Sequence, residues 1–310
     1  MSAFTIPAEV VRMNLDAGGE AGRTWLEALP GMVAELRERW SLRLGPPLEG
    51  GCVAYVAPAA AADGTAAVLK VSLVDDQTRN EPDALALWGG DGAVRLLDAD
   101  PAMGALLLER LVPGTPLSDH PDRNEANSLA CGLLRRLWRP LPERHPFPLV
   151  RDLVLGWAEE LPAEFERCGQ PFELALVEEA VALCRDLADP AEPAVLANRD
   201  FHLRNVLAAQ REPWLAIDPK PLAGERAFDT GHLLRTLLPD RLGPADAHRL
   251  VGLLAAELDL EPERVRAWAF LRSVDDALWM LTVGRDRAGI EWDLDCARTL
   301  ASRAPFSCPT

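Results

Sequence analysis

The residue periodicity of this chain changes near Pro113-Gly114-Thr115-Pro116, and that change constrains the fold more than any other feature. After one helical stretch, residues 42 to 111 read as short β-like runs; from about residue 125 apolar residues recur at helical spacing. The opening helix spans 24–43, with Trp25, Leu29, Met32, Val33, Leu36 and Trp40 at amphipathic spacing. Strands are expected over 42–48, 52–57, 66–73, 93–97 and 105–111, with a helix over 81–88. Gly50-Gly51 and Ala62-Asp63-Gly64-Thr65 supply the first two turns. Helices are expected over 125–138, 149–167, 173–187, 246–258 and 263–283, interrupted by β-like runs at 194–197, 206–208 and 214–217. The expectation is an α+β fold of two lobes. Residues 1–112 form a five-stranded β N-lobe with one inserted helix, and 113–310 form a mostly α-helical C-lobe.

Composition excludes several classes. A hydrophobic fraction of 48% over 310 residues is too high for a mainly disordered chain. The formal charge of −16 has the wrong sign for nucleic acid or anionic lipid. No apolar run approaches the roughly 18 residues needed to span a bilayer, and the N-terminus lacks the basic-then-apolar order of a signal peptide, so a soluble, cytoplasmic protein is expected. The six cysteines are scattered with no C-x-x-C pair and read as reduced thiols, most of them buried.

The most specific constellation is Asn198-Arg199-Asp200-Phe201-His202-Leu203-Arg204-Asn205, followed by Trp214-Leu215-Ala216-Ile217-Asp218-Pro219. An aspartate, an asparagine five residues later and a second aspartate beyond a short hairpin follow the order of a kinase catalytic loop and its metal ligands. A hydroxyl attacking a γ-phosphate needs an anionic acceptor for its proton, a role that suits Asp200. Mg²⁺ needs hard oxygen ligands, which Asn205 and Asp218 supply.

Lys70 and Lys220 are the only lysines among 32 basic residues. Lys70 lies in an apolar strand, where a compact ammonium suits the α- and β-phosphates of ATP. Glu81 is its candidate partner on the following helix, with Asp83 as the alternative because Pro82 places Glu81 near the helix cap. Gly50 and Gly51 fit a loop folded over the triphosphate, and equally a plain hairpin turn. Glu109 and Leu111, where the fifth strand leads out of the first lobe, are candidates for backbone contacts to adenine. For the phosphate acceptor the candidates are Asp275, Asp276 and Trp279 on a late helix, a face suited to an ammonium or guanidinium. Adjacent helical positions diverge by about 100°, so the two aspartates are not expected to share one orientation. His120, His145, His232 and His248 show no pairing pattern and read as structural or exposed.

The runs Asp200-x-His202-x-x-Asn205-Val206-Leu207, Trp214 to Pro221, and Gly224-Glu225-Arg226-Ala227-Phe228-Asp229 resemble the aminoglycoside phosphotransferase family, in its streptomycin and hydroxyurea kinase branch. The similarity extends from about residue 42 to about residue 283. It implies a protein-kinase-like fold, Mg²⁺ and ATP as cofactors, and transfer of the γ-phosphate to a hydroxyl of an antibiotic-like, polar or cationic small molecule. By the same resemblance His202 and Asp229 are structural supports of the catalytic loop. The loop usually begins His-Gly-Asp in that family, whereas this chain has Asn198-Arg199-Asp200. A metabolite kinase for an amino sugar or amino alcohol remains an alternative, as does a kinase-like module without turnover, although the latter commonly lacks one of Lys70, Asp200, Asn205 or Asp218.

Overall fold

The computed structural model describes residues 4–51, 53–237, 244–284 and 287–301. Cys52 and Cys308 lie outside the described residues; of the other four cysteines, Cys131, Cys184 and Cys296 are buried and Cys168 is partly exposed, and all are free thiols. The chain divides into two compact units. One runs to Gly114 and also contains Ala208–Ile217; the other comprises Thr115–Leu207 and the chain from Asp218 onward. A single cut after residue 112 therefore does not describe the division, because a later segment returns to the first unit.

The first unit opens with helices α1 (Ala8–Asp16) and α2 (Gly19–Arg39). Trp25, Leu29, Val33 and Leu36 of α2 are buried, each contributing about 1.5–3 kcal/mol of transfer free energy. They pack on Tyr55, Ala57, Leu69 and Val71, the inward positions of the sheet. That sheet is antiparallel, in the order β1 (Arg43–Leu44), β2 (Tyr55–Ala60), β3 (Ala66–Val71), β5 (Ala105–Glu109), β4 (Leu96–Asp100). Helix α3 (Glu81–Trp88) follows β3, over the span read from the sequence. The first strand is far shorter than expected, since after Gly45, whose N–H still reaches Pro58 O, the consecutive Pro46 and Pro47 withhold ladder donors. In the returning segment, Ala216 N–H donates to Gly92 O and Val94 N–H to Ala216 O. Arg211 reinforces it by donating to the carbonyls of Gly90 and Ala93 and to Glu109.

The second unit contains α4 (Arg123–Leu137), α5 (Val150–Arg167), α6 (Leu174–Leu187), β6 (Val195–Asn198), β9 (Pro221–Gly224), α7 (Ala227–Leu237), α8 (Pro244–Leu258), α9 (Pro262–Thr282) and α10 (Arg287–Ala301). Between β6 and β9 the chain also forms β7 (Val206–Ala208) and β8 (Trp214–Ala216). Helix α9 is buried around most of its circumference from Val265 to Leu278. Strands β6 and β9 pair antiparallel with Asn198 opposite Pro221. Helix α7 lies against α9 at Gly231, where a Cβ would stand 2.8 Å from the Trp268 carbonyl and 2.9 Å from Arg272 Cγ. That close approach brings the next residue, His232, to Arg272. Neither α7 nor α10 was expected from the sequence. In α7 the polar residues Asp229, His232 and Arg235 fall on the inward side and obscure the apolar pattern. In α10 the helical spacing of Ile290, Leu294, Ala297 and Leu300 is present, and all four are buried.

Candidate active site

In the first unit β3 carries Lys70 and the first turn of α3 carries Glu81. Nζ of Lys70 lies 2.6 Å from each carboxylate oxygen of Glu81, and the side chains are only 6% and 2% exposed. Asp83 faces solvent, so Glu81 is the partner. Pro82 is accommodated within the first helical turn, where its missing N–H leaves no bond unmade. The loop before β2 includes Gly50 at φ +96°, which favours glycine there, and Gly51. Asn14 of α1 fastens this loop, its amide donating to the carbonyls of Val53 and Val10 at 2.9 Å each. Glu109 is less available than expected. Its N–H donates to Arg95 O at 3.0 Å and its carboxylate accepts from Arg211 and from Arg95 N–H, so neither its N–H nor its side chain is open to a nucleotide. Leu111 follows the end of β5, partly exposed.

In the second unit the loop from Asn198 to Asn205 is stitched by its own polar side chains. Asn198 Oδ1 accepts from Asp200 N–H at 3.1 Å and from Lys220 N–H at 2.9 Å. Asp229 of α7 accepts from Asn198 N–H at 2.7 Å and from the Trp138 indole at 2.8 Å. Burial pushes the Asp229 carboxyl up to about 8, against the pull of these two donors. Asn205 Nδ2 donates to both the carbonyl (3.1 Å) and Oδ2 (3.2 Å) of Asp200, leaving its own amide oxygen as an acceptor. Asp218 occupies a left-handed backbone position, φ +50°, and accepts from Lys220 Nζ at 2.8 Å. His202 caps the short turn Leu203–Asn205 by accepting from Arg204 N–H, and burial pushes its imidazole down to about 4.

The late helix departs from expectation. Asp275 and Asp276 do not present an open acidic face; both are bound by Arg272, at 2.7 and 3.0 Å, from one turn earlier on α9. Arg272 sits at i−3 and i−4, a position reachable from both aspartates despite the angle between them. Arg199 approaches Asp275 at 3.6 Å, Arg235 approaches Asp276 at 3.2 Å, and Arg235 also binds Asp293. Three guanidinium groups thus face three carboxylates. Arg199 and Arg272 both lie over the ring of Trp157, at 5.2 and 5.6 Å. Burial pushes Asp275 up against the pull of Arg272 and Arg199. At Asp276 burial is outweighed by Arg272 and Arg235, which hold it below the usual carboxylate range. Trp279, one turn beyond, is 42% exposed.

The model of a family described as aminoglycoside/hydroxyurea antibiotic resistance kinase matches residues 39–284. The chain belongs to this kinase family. It is 40% identical over 304 residues to a hydroxyurea phosphotransferase of Kitasatospora aureofaciens, covering 96% of this chain and 86% of that protein. It is 35% identical over 283 residues to a streptomycin 6-kinase of Streptomyces griseus, covering 90% and 92%. Among solved structures, a choline/ethanolamine kinase family protein of Mesorhizobium loti matches with a TM-score of 0.63 at 16% identity, covering 88% of this chain and 96% of that one. That likeness supports the kinase-like fold alone. Among the described residues no helix is long and apolar enough to cross a membrane.

Within this resistance-kinase chain, Arg235, Arg272 and Trp157 carry no role in the sequence reading, Arg199 appears there only as a departure from the family motif, and His232 reads as structural or exposed. Arg272 had a signal, since its spacing to Asp275 and Asp276 is that of helical ion pairs. His232 had none, because its neighbours Asp200 and Asp276 lie far from it in sequence.

Proposed function

We propose that this kinase transfers the γ-phosphoryl group of ATP to a hydroxyl of a small, uncharged antibiotic of the hydroxyurea kind. Asp200 accepts the hydroxyl proton while the oxygen attacks phosphorus and ADP leaves. Asn205 holds the Asp200 carboxylate in place through its amide donor. The Asn205 amide oxygen and the Asp218 carboxylate are hard donors that fit Mg²⁺, which when bound neutralises charge on the phosphates. Lys70, fixed by Glu81, meets the α- and β-phosphates, and the loop at Gly50 and Gly51 offers backbone N–H groups to the triphosphate.

The observation that carries the acceptor class is the pairing of Asp275 and Asp276 with Arg199, Arg235 and Arg272. Binding a polycation through carboxylates already matched by arginines means breaking those pairs, whereas a neutral acceptor needs only hydrogen bonds. The higher identity to the hydroxyurea phosphotransferase supports the same choice. An ADP-release assay at saturating Mg-ATP tests it, with hydroxyurea and streptomycin as separate acceptors. Turnover with hydroxyurea is expected; efficient turnover with streptomycin and none with hydroxyurea would overturn the neutral-acceptor reading.

A further inference from the structure

Three ligating atoms converge beside the catalytic loop without bonding one another. Asp200 Oδ1 lies 3.4 Å from His232 Nε2 and 3.7 Å from His202 Nε2, longer than ordinary hydrogen bonds. One ligand atom from each of these residues falls within 4.8 Å of those of the other two. A tetrahedral zinc centre, with bonds of about 2.0–2.1 Å, separates its ligand atoms by about 3.4 Å. The two Asp200 edges of this triangle are thus near the spacing such an ion imposes, and the imidazole rings, 5.1 Å apart between centroids and inclined at 51°, are not stacked face to face.

We propose that Asp200, His202 and His232 form a three-ligand site for a borderline-soft divalent metal, Zn²⁺ or Co²⁺, with a fourth position open. Two imidazoles and one carboxylate select such ions over Mg²⁺, which prefers oxygen and water. The surroundings of His232 complete the arrangement. With Nε2 on the metal, Nδ1 carries the ring proton and faces Asp276 Oδ2 at 3.7 Å, the carboxylate–histidine–metal order common at zinc sites. Arg272 bonds Oδ1 of the same aspartate and Arg235 approaches Oδ2, which orients the carboxylate; Arg272 gives up its 3.4 Å contact with Nδ1 once that nitrogen carries the proton. His202 gives up its 3.2 Å acceptor contact with Arg204 N–H on binding, because its Nδ1 must then be protonated.

The site has a functional consequence. A metal on Asp200 Oδ1 occupies the lone pair that accepts the acceptor's proton, so Zn²⁺ blocks transfer without needing the Asn205 and Asp218 oxygens. This inhibition rests on Asp200 being the base; metal binding does not.

Chelator-stripped protein titrated with ZnCl₂ by calorimetry, and with CoCl₂ by visible absorption, provides the test. One equivalent should bind, with the intense bands of four-coordinate Co²⁺. His202→Gln and His232→Gln should each weaken binding by at least about tenfold, the scale at which loss of even an outer-shell partner is felt. Circular dichroism establishes that the variants fold, and His120→Gln serves as a control with unchanged affinity. Absence of stoichiometric binding to the wild type, or unchanged affinity in both folded variants, would overturn the site. Binding that obeys these expectations but leaves ADP release at saturating Mg-ATP unaffected would leave the site standing and overturn Asp200 as the base.

Discussion

Lys70 Nζ is equidistant, at 2.6 Å, from the two carboxylate oxygens of Glu81, and both side chains are almost completely buried. Removing either charge strands the other in a poorly solvated place. Lys70→Ala and Glu81→Gln should each cost about 3–5 kcal/mol in urea denaturation and depress nucleotide use. The double variant Lys70→Met/Glu81→Leu separates the two effects. Its stability should return towards that of the wild type while ADP release remains lost, since an apolar pair replaces the ion pair in packing but not in binding phosphate.

Asp200→Asn preserves the shape of the side chain but removes its basicity. Turnover should fall by a factor of about 10² to 10⁴. Nucleotide binding should persist, read as a thermal shift with millimolar Mg-ATP that matches the wild type. Asp218→Asn should instead raise the Mg²⁺ concentration needed for half-maximal activity. Near-normal turnover in Asp200→Asn would remove it from the role of base.

The aspartates of α9 make a prediction opposite to that of a cation-binding surface. Asp275 serves Arg272 and Arg199 within the protein, so Asp275→Ala should destabilise the fold by roughly 3 kcal/mol. Because the pairs are largely buried, the loss should differ little between low and high salt. A selective, salt-sensitive rise in the Michaelis constant with unchanged stability would instead indicate direct contact with a charged acceptor.

Asp229 sets a pH dependence. Its carboxyl is raised from an ordinary aspartate value to about 8 by burial, so the folded state holds its proton more tightly than the unfolded state does. The stability from this group is fully present below about pH 4 and is lost as pH rises towards 8. Denaturation midpoints measured across that window should decline, and Asp229→Asn should flatten the decline even if it lowers stability throughout. The slope is the readout, because asparagine cannot accept from both Trp138 and Asn198 as the carboxyl does.

The sequence revealed what depends on order and period, and concealed what depends on distant neighbours. Helix α3 follows from its local pattern, and Glu81 is within reach of the strand lysine once that helix is placed. The departure at Asn198-Arg199 was legible as a departure only. Its meaning lies in Lys220, just before β9, and Asp229 of α7, which reach Asn198 from about 20 and 30 residues on. The aspartates of α9 looked like a surface because net charge carries no information about pairing. Two of their three arginines come from other segments, and only Arg272 could be read from spacing along the same helix.

The return of Ala208–Ile217 to the first unit bears on how the chain matures during synthesis. Everything through Gly114 can leave the ribosome while β8 and the Arg211 contacts to Gly90, Ala93 and Glu109 do not yet exist. About a hundred further residues must be translated first, which at 5–20 residues per second takes roughly 5 to 20 s. For that interval the carbonyls of Gly90 and Ala93 and the carboxylate of Glu109 must do without Arg211. A nascent chain halted between residues 114 and 207 should therefore be digested by protease near Gly90 more readily than one extended past residue 217.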